Sequence, residues 1–202
     1  MKILVTAFEP FGQNTINASA EVLDQLPSQI ENSQIEKLVL PTVFKKSTEK
    51  LVTFLDAYQP DVIISMGEAG GRSQITVERI AVNVDDAKLP DNDNQMPHQD
   101  CIRLDGDDGY FSTLPITDIV KAIQKINIPA SISNTAGTYV CNHIMYEGLY
   151  WSKQHSKPIQ SGFIHLPYLP EEVVQSGQNL PSLSIDLMTK AIESAIKTII
   201  KG

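Results

Sequence analysis

Residues 62–66, Val-Ile-Ile-Ser-Met, form a short, nearly continuous apolar run between Pro60 and Gly67. A run of that length reads as a central strand buried on both faces, which requires helices above and below it. The rest of the chain supplies them. Residues 2–7 and Ile35 to Leu40 read as further strands, as do Ala130 to Thr135 and Phe163 to Leu166. Between them lie helical patterns: Asn17 to Leu26; a stripe of Phe44, Thr48, Leu51, Leu55 and Tyr58; a segment capped by Thr117; and one through Cys141, Ile144, Met145 and Leu149. The clearest helix is last, with Met188, Ala191, Ile192, Ala195, Ile196 and Ile199 on its apolar face and Ser184 as its cap. Strands alternating with helices predict an α/β sheet protein. With 202 residues and no linker or repeat, one domain over 1–202 is expected.

Ile75 to Val84 reads as one long strand, and its parity puts Glu78 on the same face as Ile80, Val82 and Val84. A glutamate in an apolar row is either solvated at a strand end or held by a partner. Residues 85–109 carry eight of the 24 acidic residues and read as a loop-rich excursion. Asp91-x-Asp93-x-Gln95 opens like a calcium loop, but Met96 stands where glycine is needed and Ile102 where glutamate is needed.

Charge narrows the partners. Sixteen basic residues against 24 acidic ones give a net charge of −8 with no Lys/Arg cluster, which argues against nucleic acid or an anionic membrane surface. A small neutral or cationic ligand fits better. No stretch approaches the roughly 18 apolar residues of a membrane span, and the first eight residues read as a strand, not a signal peptide. Two cysteines, Cys101 and Cys141, are too few for a disulfide scaffold, although one bridge between them stays open. A cytoplasmic location is expected.

The segment Ser133 to His143 reads as strand, glycine turn and helix, with Cys141 in the first helical turn. Orphan amides and the positive helix end favour a thiolate there, and the same amides suit an oxyanion. On position alone, a buried, inert cysteine behaving as a small hydrophobe suits slightly better. Cys101, after Asp100 in the acidic loop, is the worse nucleophile. Among four histidines, His165 ends a short apolar strand, where α/β sheets gather ligands, so it is the candidate base. A half-buried core histidine is the alternative. Glu78 would orient its imidazole. Cys141-x-His143 has the wrong helical spacing for zinc and no second Cys/His pair, so no metal is expected. Gly67 to Arg72 lacks both nucleotide-loop spacings and reads as a tight turn able to present amides.

Together these segments resemble the pyroglutamyl peptidase I family, also called pyrrolidone-carboxylate peptidase. The likeness rests on Phe8-Glu9-Pro10-Phe11-Gly12, Pro41-Thr42-Val43-Phe44, Ala69-Gly70-Gly71-Arg72, Ile75-Thr76-Val77-Glu78-Arg79, Pro90-Asp91-Asn92, Thr135 to His143 and Gly162 to Tyr168. It implies a three-layer sandwich with a twisted, mostly parallel mixed sheet between helices. It also implies a cysteine peptidase that removes N-terminal 5-oxoproline from peptides without a cofactor, as a cytoplasmic homotetramer. By position it makes Cys141 the nucleophile, His165 the base and Glu78 the orienting carboxylate. Phe8 and Phe11 would flank the lactam, with Thr42 and the backbone at Glu68 and Val140 also at the substrate. The Cys141 amide and Lys88 would serve the oxyanion. A flat neutral lactam suits an apolar slot with a few amide partners, and such a site should reject proline, which lacks the carbonyl.

Four residues depart from the family pattern: Ala7 for Gly, Glu68 for Gln, Val77 for Pro and Lys88 for Arg. Glu68 brings a carboxyl to the slot, and Lys88 replaces a planar fork with a point charge. The rival reading is a catalytically impaired ligand-binding protein of the same fold.

Overall fold

The computed structural model describes residues 1–12 and 14–202. Its centre is a seven-stranded sheet made of β1 (Lys2–Phe8), β2 (Gln29–Ile30), β3 (Ser33–Leu40), β4 (Val62–Glu68), β5 (Ile75–Glu78), β8 (Ala130–Ser133) and β9 (Gln160–Leu166). The order across it is β2-β3-β1-β4-β9-β5-β8. β3, β1, β4 and β9 are mutually parallel, while β5 is antiparallel to β9 and parallel to β8. The sheet is therefore mixed but mostly parallel. β6 (Ile80–Val82) and β7 (Gly109–Phe111) form a separate two-stranded ribbon.

Helices cover both faces. α1 (Ala18–Gln25), α3 (Ile116–Lys125) and α6 (Ile185–Lys201) close one core over Ile3, Val5, Val62, Ile64, Met66, Ile164 and Leu166. α2 (Phe44–Tyr58) and α4 (Val140–Lys153) close the other over Leu4, Ile63 and Phe163. Adjacent residues of β4 thus enter opposite cores, which is why residues 62–66 show no polar alternation. The short α5 (Pro170–Ser176) comes directly after β9.

The predicted helices and strands fall largely where the sequence places them, and all six apolar-face residues of α6 are buried. Three local expectations are corrected. The helix at 116 takes Pro115 as its cap residue, leaving Thr117 inside the first turn. Ser184 occupies the cap position of α6 without a side-chain capping bond. The strand from Ile75 to Val84 breaks at Arg79, whose N–H donates to Ser133 O while its carbonyl accepts from Ser112. Beyond it the inward parity inverts: Ala81 is buried, whereas Ile80 and Val82 are half-exposed.

Residues 85–109 contain no helix or strand before Gly109, as expected of the excursion, but α4 straps them down. Asn142 bonds the backbone of Val82 and Val84. His143 Nδ1 meets Asp85 at 2.7 Å and Glu147 takes a forked bond from Arg103. Asp91 is buried as well, and its Oδ2 accepts the Phe44 amide at the start of α2. The acidic residues here thus divide between solvent and buried caps.

Candidate active site

The strand order reverses around β1, and the carboxyl ends of β1, β4 and β9 open on one side of the sheet. That is where open α/β sheets bind ligands. His165 lies there on β9 and Gly67 is its in-register partner on parallel β4. Paired residues of neighbouring strands sit about 4.8 Å apart with side chains on the same face. Gly67 has no side chain, and a Cβ there would lie 2.8 Å from Cys141 Sγ and 2.8 Å from the Phe163 ring. The sulfur therefore occupies the side-chain place of Gly67, in the column beside His165. Cys141 reaches it from the first turn of α4, whose cap residue, Tyr139, makes no side-chain capping bond. First-turn amides have no intrahelical acceptor.

Glu78, at the end of β5, is fully buried, and its Oε1 meets His165 Nδ1 at 2.7 Å. A carboxylate accepts, so Nδ1 carries the hydrogen and Nε2 is left as the basic nitrogen. Arg72 Nη1 donates to the same Oε1 at 2.7 Å and also to Thr76 Oγ1. The Phe163 ring, two residues before His165 on the same face, lies tilted against the imidazole at 4.7 Å and against Phe8 at 6.4 Å, centroid to centroid.

Burial raises Glu78, but His165, then Ser133 and Arg72, outweigh it and hold the carboxyl below its ordinary 4.5. Burial lowers His165 more than Glu78 raises it, so the imidazole stays below 6.5. The expected thiolate is corrected here: burial, then the charges of Glu78 and Glu68, push the Cys141 thiol up to about 12 against the pull of Arg72. Removing the sulfur from water disfavours its charged form more than Arg72 favours it. The resting site is a neutral thiol beside a neutral imidazole on an ionised glutamate. Cys101 is exposed, with Sγ donating to Arg103 O, and both cysteines are free.

The remaining expected residues are dispersed around this centre. Phe8 is buried at the end of β1, and Phe11 is half-exposed against Tyr139 at 6.2 Å. Thr42 Oγ1 donates to Glu9 O at 2.8 Å, while Asn92 bonds Pro10 O and Gly12 N. Thr42 thereby fixes the loop between the two phenylalanines. Val140 is the buried first residue of α4. Glu68 ends β4 beside Gly67, and its Oε2 accepts the Ala18 amide at 2.8 Å. Burial, then Glu172, raise its carboxyl to about 8. Lys88 is exposed in the excursion and makes no hydrogen bond or ion pair among the described residues.

The other three histidines are placed elsewhere. His143 bridges Asp85 and Thr48, His98 pairs with Asp86, and His155 bonds Trp151 O. Among the described residues no group of three His, Cys, Asp or Glu side chains is disposed to hold a metal ion, and no helix is long and apolar enough to cross a membrane. A cavity of about 440 Å³ lies by Tyr110, Lys153 and Gln160, and Cys141 does not line it. Two residues of the site, Arg72 and Phe163, are missed by the reading of roles from sequence. Arg72 is a charge directly after a glycine pair, and Phe163 shares parity with His165, so a signal exists for each.

A family model described as pyroglutamyl peptidase matches residues 1–202. Pyrrolidone-carboxylate peptidase 1 of Caldanaerobacter subterraneus subsp. tengcongensis is 51% identical over 202 residues, covering 100% of this chain and 99% of its own. The crystal structure of pyroglutamyl peptidase I from Bacillus amyloliquefaciens superposes with a TM-score of 0.94 at 44% identity, covering 98% of this chain and 94% of that one. Pyrrolidone carboxyl peptidase from Thermococcus litoralis gives 0.95 at 40% identity, with 99% and 93% covered. Sequence likeness along the full length and superposition of the whole fold agree, and this chain belongs to the pyroglutamyl peptidase family.

Proposed function

We propose that this chain hydrolyses the amide bond after an N-terminal pyroglutamyl residue through a thioester on Cys141, with His165 as base and then acid and Glu78 as its orienting carboxylate. The observation that carries the reading is the pairing of Glu78 with His165 Nδ1 at 2.7 Å while the Cys141 sulfur fills the place beside His165 left by Gly67. Because thiol and imidazole both rest neutral, the proton moves as the bond forms. Sγ attacks the pyroglutamyl carbonyl carbon and its proton passes to Nε2. The oxyanion is met by the Cys141 amide at the helix start, with Lys88 as the candidate charged partner. Collapse expels the peptide amine, which takes the proton from Nε2. Water then attacks the thioester, giving up a proton to Nε2, and frees 5-oxoproline and the thiol.

Phe8 and Phe11, on either side of the loop that Thr42 holds through Glu9, supply apolar walls for the lactam, and backbone groups at Glu68 and Val140 supply its polar partners. Protonated up to about 8, Glu68 brings no full charge to the slot at neutral pH, which weakens the case for an impaired site. Two free thiols suit a reducing compartment, so we assign the chain to the cytoplasm, and the family resemblance implies a homotetramer. Light scattering that gives a monomer would remove the tetramer alone.

The test is release of a coumarin fluorophore from its pyroglutamyl amide. Wild type should turn over, Cys141→Ser and His165→Ala should not, and all three should share one circular-dichroism spectrum. Turnover by Cys141→Ser at the wild-type rate would overturn the assignment.

A further inference from the structure

The turn Ala69-Gly70-Gly71-Arg72 leaves the end of β4 beside the catalytic centre, and none of the proposed chemical steps uses it. Its shape is demanding. Gly71 has a φ of +84°, and a Cβ on Gly70 would run into the Tyr168 ring. A turn that needs both glycines fixes the position of the next residue, Arg72. The Nη1 of Arg72 shares Glu78 Oε1 with His165 Nδ1, each bond 2.7 Å long, while Thr76 Oγ1 holds the same nitrogen from β5.

The charge balance gives this contact its meaning. Glu78 is fully buried and His165 almost so. An ionised glutamate beside a neutral imidazole is a lone buried anion, which costs heavily unless a cation offsets it. Arg72 is that cation. Its side chain is 31% exposed, along a groove of about 410 Å³ that it lines with Gln74, Ser131 and Ser133, so its own charge keeps partial contact with water. Without Arg72, the nearest way to neutralise Glu78 is a proton on His165, and an imidazolium cannot take the thiol proton.

We infer that Arg72 is a positioning residue that balances the charge of Glu78 and so keeps His165 available as an uncharged base. This rests on the proposed roles of Glu78, His165 and Cys141. The titratable groups around the imidazole are Glu78 on β5, Cys141 on α4, Arg72 itself and, beyond the sulfur, Glu68 on β4; β8 contributes only the Ser133 hydroxyl. Arg72 pulls the imidazole pKa down, so its loss lets that value rise.

The experiment tracks the His165 Cε1–H resonance against pH in wild type, Arg72→Gln and Arg72→Lys, beside kcat/KM profiles for the pyroglutamyl coumarin amide. Arg72→Gln should move both the imidazole titration and the acid limb of the profile up by about one pH unit, a loss that approaches about tenfold at pH values below the acid limb and largely recovers by about pH 8.5. Arg72→Lys keeps the charge and should stay near wild type. A uniform loss at every pH with an unmoved resonance would make Arg72 merely structural and overturn the inference. So would an acid limb moved by Arg72→Lys as far as by Arg72→Gln. If Arg72→Gln does not fold, Arg72→Met takes its place, and the lysine variant is decisive alone. The resonance needs no turnover, so absence of pyroglutamyl hydrolysis would count against the function and leave this inference readable.

Discussion

Replacing Glu68 by glutamine should make the stability of this protein much less dependent on pH. The side chain has two demands to meet. Its Oε2 accepts the Ala18 amide, and its carboxyl faces Glu172, whose own Oε2 accepts the Leu169 amide at 2.8 Å and whose Oε1 is buried without a partner. Glu68 can be acceptor and donor at once only while protonated; glutamine is both at every pH. In the unfolded chain Glu68 ionises around its ordinary 4.5, and in the fold it keeps its proton to about 8. Between those values the folded state binds more protons than the unfolded one. Stability that is complete below pH 4.5 therefore declines as pH rises and is lost by about 8. At 1.36 kcal/mol per pH unit the full interval bounds the loss at about 5 kcal/mol, of which about 3 kcal/mol falls between pH 5.5 and 8. For a domain of this size that corresponds to roughly 6–12 °C in Tm. Urea unfolding of wild type and Glu68→Gln at pH 5.5 and 8 measures it directly. Wild type should lose about 3 kcal/mol more than the variant over that range. Parallel losses in the two proteins would refute the reasoning.

Gly67→Ala puts a methyl group 2.8 Å from both Cys141 Sγ and Phe163. It should cost about 100-fold in kcat by displacing the sulfur, with unfolding destabilised by about 1–3 kcal/mol; an unchanged kcat in steady-state assays would remove the sulfur from that place. Glu78→Gln preserves shape but presents the wrong partner to His165 Nδ1, so kcat should fall about 10³–10⁴-fold with little change in KM, and a loss below tenfold would deny Glu78 its orienting role. Lys88→Ala should lower kcat about tenfold or more if the ammonium meets the oxyanion; wild-type kinetics would assign that task to the amides alone.

Much of this architecture is legible because long-range burial writes short-range patterns. The unbroken run at 62–66 announces a strand covered on both faces, and the stripe from Met188 to Ile199 announces the helix that covers one of them. The strand break at Arg79 is invisible to alternation, because Ile80 and Val82 continue the apolar rhythm while their pairing partner changes from β8 and β9 to β7. The two-residue β2 and the seven-residue α5 are too short to carry a period. At the site, strand-end and helix-start logic brings His165 and Cys141 to the same place. The thiol's ionisation is not legible, because it depends on how much water the fold removes from the sulfur and on which carboxyls it brings near. Arg72 is hidden for a related reason: its importance lies in sharing one oxygen atom of Glu78 with His165, six residues and one turn away.

The central claim is that Cys141 carries the acyl group. Rapid-quench mass spectrometry of the enzyme mixed with a pyroglutamyl coumarin amide tests it most directly. The account predicts one pyroglutamyl group on the peptide containing Cys141, absent from Cys141→Ser and longer-lived when hydroxylamine is left out. Turnover with no acyl group trapped on the protein, or an acyl group on Cys101, would contradict it.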